Sequence, residues 1–283
     1  MATPYIIVTN GPTGSGKSVL MKKVIKHYGL EKEYRTFLID DLIESNEWYK
    51  QSIDLLIVEE CKSRDLCPAL KERLNHPDSE FYEKFSSLYY KYRGKTNEKW
   101  CNNKTTTCND FLDHLLEESI RRRDNIVFET VGTYYAKWLI DKLHGYKVYF
   151  AFTILDFDEN IRRNNMRAVT QMRKYIHDRT TNAPRLPDVS VDHLSKTIKQ
   201  IGVNLLSLMT QKMFDTLPEV HHIIVFDNTT ESNVVIYDSD TVSTMAHVVQ
   251  AIEQVTYITC PSCKHMHKRK QMKARHHNHV NDR

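Results

Sequence analysis

The chain has 283 residues, of which 40% are hydrophobic and 27% charged, with a formal net charge of +4. That size and balance fit one or two folded domains and exclude wholesale disorder. No apolar run approaches the ~20 residues of a membrane span, and no basic stretch precedes an apolar one at the start, which excludes secretory and transmembrane readings.

Of six cysteines, only Cys260 and Cys263 sit at metal-ligand spacing, so the expectation is an intracellular, cytoplasmic chain with mostly reduced thiols. The charge is unevenly placed. Residues 260–283 hold seven Lys/Arg against one acid, a net of +6, which leaves −2 on residues 1–259. A body near neutrality is not built to wrap nucleic acid. The expected division is therefore a folded domain at 1–259 and a basic Cys/His-rich tail at 260–283.

In chain order, Tyr5-Ile6-Ile7-Val8-Thr9 reads as a buried strand ending at a Gly/Pro turn. Leu20, Val24, Ile25 and Tyr28 then repeat at helical spacing up to Gly29. Tyr34 to Ile39 is the next strand, ending at Asp40-Asp41, and a helix follows over about 42–60. Residues 61–108 interrupt the rhythm and read as a mostly helical insertion with a loop at 94–108. The alternation resumes with a helix at Phe111–Arg123, a strand at Ile126–Phe128, a helix at Tyr134–His144 and a strand at Val148–Leu155. A long polar helix over about 158–180 leads to the proline-bounded NAPRLPD loop and a helix at 190–214. Two strands, Ile223–Phe226 and Val234–Tyr237, precede a last helix at 241–257. Helices between short apolar strands predict an α/β fold, a mostly parallel sheet covered on both faces.

Eight glycines occur in all, and Gly11, Gly14 and Gly16 fall within six residues. Gly11-Pro12-Thr13-Gly14-Ser15-Gly16-Lys17-Ser18 fits G-x-x-x-x-G-K-[ST], after a strand and opening a helix, as a phosphate loop (P-loop, Walker A) requires. Such glycines let successive amides turn inward around a phosphate at a positive helix end. Lys17 would meet the β- and γ-phosphates of ATP, and Ser18 would offer its hydroxyl to Mg²⁺.

Asp40 and Asp41, at a strand's carboxyl end, face the expected ligand crevice and could take a proton from an attacking hydroxyl; the alternative is a helix N-cap. Glu129 ends its strand similarly and suits Mg²⁺ through water or the acceptor, or else is a surface acid. Arg162, Arg163, Arg167 and Arg185 could close over the triphosphate from a lid, against the alternative of solvated helix arginines.

The order of these parts resembles the zeta-toxin family of P-loop kinases. The matching pieces are GPTGSGKS, FLIDDL, NIVFETVGT, HGYKVYFAF leading to ENIRRNNMR, NAPRLPDVSVDHL and HHIIVFDN, over roughly 3–230 without residues 61–108. The resemblance implies an ATP- and Mg²⁺-dependent kinase that phosphorylates a sugar hydroxyl of a small-molecule acceptor, typified by a UDP-linked amino sugar. It implies phosphate and Mg²⁺ binding by Lys17 and Ser18, Asp40 as general base, Glu129 and Thr130 on the substrate side, and Arg163 or Arg167 with Arg185 on the phosphates. Where family members place a basic residue after the hydrophobic Leu42, this chain has Ile43.

Other readings are a polynucleotide 5′-hydroxyl kinase, a tRNA prenyl transferase and a non-catalytic nucleotide sensor working through a protein partner. The neutral body argues against the first, and FLIDDLIESN lacks the Asp-Ser acceptor motif of the second. In the tail, Cys260, Cys263, His265 and His267 form a candidate Zn²⁺ set, with His276 and His279 as alternative partners. A disordered metal-scavenging tail is the other reading, and the +6 charge predicts salt-sensitive contact with polyanions.

Overall fold

The computed structural model describes residues 3–30, 33–62, 80–93, 108–132, 142–186, 191–209, 221–229, 234–241, 257–259 and 266–268, with single positions in 68–72 and 246–250. Five strands form the body of the sheet: β1 (Tyr5–Asn10), β2 (Arg35–Phe37), β3 (Ile126–Thr130), β4 (Lys147–Ile154) and β5 (His221–Asp227). They are mutually parallel, and β6 (Val234–Asp238) adds an antiparallel edge, giving the order β2-β3-β1-β4-β5-β6. The expected α/β architecture is the one observed.

The sheet has two buried faces because residues alternate along each strand. Ile7, Tyr149, Ala151 and Ile224 face Leu20 and Val24 of α1 (Lys17–His27). Ile6, Val8, Phe150, Phe152 and Val225 face the larger core. Among the described residues, that core takes side chains from α2 (Ile39–Ser45), α3 (Glu47–Cys61), α4 (Glu80–Tyr92), α5 (Cys108–Arg122), α6 (Phe157–His177) and α7 (Val191–Met209). The end of α1 is tied to the sheet edge, where His27 Nε2 lies 2.8 Å from Asp238 Oδ2 and the Tyr28 hydroxyl donates to Asp238 Oδ1 at 3.1 Å.

Several boundaries differ from the sequence reading. The expected strand to Ile39 stops at Phe37, and Asp40 and Asp41 lie in the first turn of α2. There two acids favour a helix start through its dipole. The expected 42–60 helix is two helices, because the Asn46 side chain accepts from the amides of Trp48 and Tyr49 and caps α3. Within the expected insertion, α4 buries Phe81, Phe85, Tyr89 and Tyr92 in the main core, with the Tyr92 ring against Tyr49 of α3. Cys61 is disulfide-bonded, a departure from the reduced-thiol expectation at that position.

Across the expected boundary at 259, Tyr257–Thr259 and Met266–Lys268 pair as antiparallel strands β7 and β8. The expected 134–144 helix and most of the 241–257 helix fall outside the described residues. Among the described residues, no helix is long and apolar enough to cross a membrane.

Candidate active site

The loop Gly11–Ser18 joins β1 to α1 at the carboxyl end of the parallel strands. Gly14 (φ +81°) and Gly16 (φ +87°) adopt left-handed backbone, and a Cβ on either would collide with a buried amide, that of Asn164 or Asn228. The glycines therefore serve both the curl of the loop and the close approach of its supports.

Those supports come from three elements. Asn160 and Asn164 of α6 each donate to the Thr13 carbonyl at 2.8 Å. Asn228, just past β5, donates to the Ser15 carbonyl at 2.6 Å, and Thr153 of β4 donates to the Ser15 hydroxyl at 2.6 Å. All four supporting side chains are buried. The Thr13 and Ser15 carbonyls are thus held by these supports, and the amides of Gly11 and Ser15 donate to the Val131 and Pro12 carbonyls, so a phosphate-binding nest here would use the other loop amides.

Lys17, at the start of α1, is buried and folded back over the loop. Its Nζ donates to the carbonyls of Gly11 (3.1 Å) and Pro12 (3.2 Å) and lies 3.6 Å from Glu129 Oε1. Burial lowers its pKa, partly offset by Glu129, while the positive charges of Arg185 and Arg167 lower it further. Ser18 is exposed in the first turn of α1.

A cleft of about 300 Å³ opens next to the loop, lined by Thr13, Lys17, Asp40, Arg93, Glu129 and Thr130 among others. Glu129 and Thr130 end β3 beside Thr9 and Asn10 of β1, so they reach the cleft from the neighbouring strand. Asp40 is held on both oxygens. Arg185 ion-pairs with Oδ2, and the Tyr89 hydroxyl donates to Oδ1 at 2.5 Å. Arg185 is itself buried and also pairs with Glu44 at 2.7 Å. Burial lowers the Arg185 guanidinium to about 9, so it remains charged at neutral pH. Burial, opposed by Arg167, pushes Glu44 up to about 7. Asp41 is also raised, by burial and then by the charge of Glu129.

The arginines of α6 separate by function within the fold. Arg167 donates to Asn164 Oδ1 at 3.1 Å, while its buried Nε has no hydrogen-bond partner among the described residues and its charge is felt at Lys17 and Glu44. Arg163 is engaged away from the cleft, by Glu159 (2.7 Å) and by the Asn228 carbonyl (2.9 Å). Arg162 is exposed and pairs with Glu159 at 2.6 Å. Cys260, Cys263 and His265 lie outside the described residues, and His267 is in β8 opposite Ile258. Among the described residues no cluster of three or more metal-ligating side chains occurs.

Arg163 makes Glu159 part of the cradle's outer brace, through Asn228 to Ser15. Hydrogen bonds from Arg162 and then Arg163 hold the Glu159 carboxyl down to about 2, against an ordinary 4.5. A depressed acid stabilises the fold above its unfolded pKa and loses that contribution as pH falls through the folded one. Glu159→Gln should therefore melt below the wild type at pH 7, and the two melting curves should converge between pH 4.5 and about 2. A pH-independent gap between them would remove the electrostatic basis of the brace.

Sequence reasoning did not single out Thr153, Asn160, Asn164, Asn228, Glu44 or Tyr89. For the asparagines on α6 a signal existed, since Asn160 and Asn164 stand one turn apart on the side that meets Ala168 and Met172.

The parallel order β2-β3-β1-β4-β5, with a glycine cradle after β1 and a lysine at the head of α1, defines an α/β fold of the P-loop NTPase type. The chain is similar to a solved structure from the PezAT chromosomal toxin–antitoxin system of Streptococcus pneumoniae, at 13% identity and a TM-score of 0.47, over 100% of this chain and 88% of that one. It is also similar to a chain of the AvrRxo1-ORF1:-ORF2 complex with ATP, at 13% identity and a TM-score of 0.45, over 89% of this chain and 64% of that one. No protein-family model matches the chain, and no curated protein matches its sequence.

Proposed function

We propose that the protein is an ATP-dependent phosphotransferase acting on a hydroxyl of a small molecule, with a nucleotide sugar as the acceptor class to test first. The observation that carries this reading is the cleft beside the loop, which Lys17, Asp40 and Glu129 line together, with Arg185 ion-paired to Asp40. A polyphosphate fits the cations and the loop amides, and an acceptor fits the acids.

In this reading, the loop and Lys17 bind the β- and γ-phosphates. Asp40 takes the proton of the acceptor hydroxyl as its oxygen attacks the γ-phosphorus, and the bond to the β-phosphate oxygen breaks to release ADP. Arg167, whose Nε has no hydrogen-bond partner among the described residues, and Arg185 offset charge on the transferring group. The exposed Ser18 hydroxyl at the cradle rim and the Glu129 carboxylate are hard oxygen donors that suit Mg²⁺. Held there, Mg²⁺ would supply positive charge to the triphosphate. Thr130 lines the acceptor side, and Arg163 serves by bracing the loop through Asn228.

The direct test is incubation with γ-labelled ATP and separate pools of nucleotide sugars, nucleosides and RNA 5′ ends. Label is expected in the nucleotide-sugar pool. Transfer to RNA ends instead would favour a polynucleotide kinase, and label appearing only as inorganic phosphate would end the phosphotransferase reading.

A further inference from the structure

The carboxylate of Asp40 owes its orientation to a residue far along the chain. Tyr89 is on α4, 1% exposed, and its hydroxyl reaches Asp40 Oδ1 at 2.5 Å. One helical turn later, Arg93 donates from Nη1 to the same Tyr89 oxygen at 3.1 Å and itself lines the cleft. With its oxygen accepting from a guanidinium, the phenol has one proton to give, and it gives it to Asp40; a cationic donor on that oxygen also strengthens the phenol as a donor.

Arg185 holds the other carboxylate oxygen but divides its charge between Asp40 and Glu44, whereas the single proton of the Tyr89 hydroxyl goes to Asp40. We propose that Tyr89, backed by Arg93, is the positioning residue for Asp40, so that α4 sets the direction in which the carboxylate meets the acceptor. The inference rests on the phosphotransferase reading and deepens it, since it assigns the residues 80–93 to the reacting centre. Tyr89 touches neither phosphate nor acceptor in this scheme; it acts through Asp40 alone.

The consequence is a split between kcat and binding. A hydrogen bond to a charged group is worth enough that its loss from the base should lower kcat about 10-fold. The grip on ATP, made by the loop and Lys17, should not change. The experiment measures ADP release from Mg-ATP with the nucleotide-sugar pool as acceptor, together with ATP affinity by calorimetry. Tyr89→Phe is expected to lower kcat about 10-fold at unchanged ATP affinity. Tyr92→Phe, which removes a buried hydroxyl of the same helix that meets Ser52 Oγ at 3.0 Å, is expected to leave kcat within about twofold.

Equal kcat for Tyr89→Phe and wild type, or equal losses in the two variants, would overturn the assignment while leaving the kinase reading intact. Absence of transfer by the wild type to any pool would overturn both. Should Tyr89→Phe not fold, Arg93→Met keeps the phenol in place and is expected to lower kcat at saturating ATP about threefold; an unchanged kcat there also overturns the assignment.

Discussion

Asp40→Asn is expected to cut phosphotransfer by a factor of about 10²–10⁴ while leaving ATP affinity within about threefold of the wild type. The carboxamide keeps the volume of the side chain and still offers Oδ1 to the Tyr89 hydroxyl. It lacks the basicity to take a proton from an attacking hydroxyl. Arg185 loses one ionic partner and keeps Glu44 at 2.7 Å, so the buried guanidinium is not left uncompensated. ATP binding should survive because the loop amides and Lys17 come from β1–α1 and do not depend on Asp40. Label transfer and calorimetry on one preparation check both halves. Wild-type turnover in the variant would remove Asp40 from the reaction, and joint loss of turnover and ATP binding would recast it as a structural residue.

Lys17→Met should lower ATP affinity and turnover together, each by about 10²–10³. Methionine retains the buried stem and removes only the charged head. In the free protein that head donates to two carbonyls of its own loop and lies near Glu129, while burial holds its pKa down. The cation is therefore costly to keep in place without an anion, which is why its removal should spare a cooperative melt and a native near-UV spectrum. Calorimetric titration with Mg-ATP measures the effect. Unaltered affinity would mean that the cradle does not hold a triphosphate at all.

What could be read from sequence and what could not follow from the range of the interactions. The β1–loop–α1 unit is local: a β-branched run, three glycines and a lysine within fourteen residues dictate it, and the structure has it in that form. The parallel sheet was legible because strands buried on both faces are continuous apolar runs, as Tyr149 to Phe152 shows. The α2 boundary was misplaced because Leu38 and Ile39 continue an apolar stretch whose strand pairing ends at Phe37↔Phe128, a fact set by β3 ninety residues away.

The polar supports of the loop escaped for a related reason. Asn160, Asn164 and Asn228 look like surface residues in a linear string, and they become necessary once Thr13 and Ser15 turn their carbonyls toward them. Nor does anything local mark Tyr89, one of several tyrosines in a stretch with weak periodicity. Its partner lies 49 residues earlier, and only the burial of Phe81 and Phe85 against the core orients the helix so that the two meet.

That placement of α4 sets a limit on minimal versions of the protein. Excising residues 80–92 to obtain a shorter chain would uncover Tyr49, Ile53 and Ile57 of α3 and strip the phenol from Asp40 in the same cut. Solubility and chemistry would fail together, so this stretch tolerates replacement by another helix of like apolar face far less readily than a detachable appendage would.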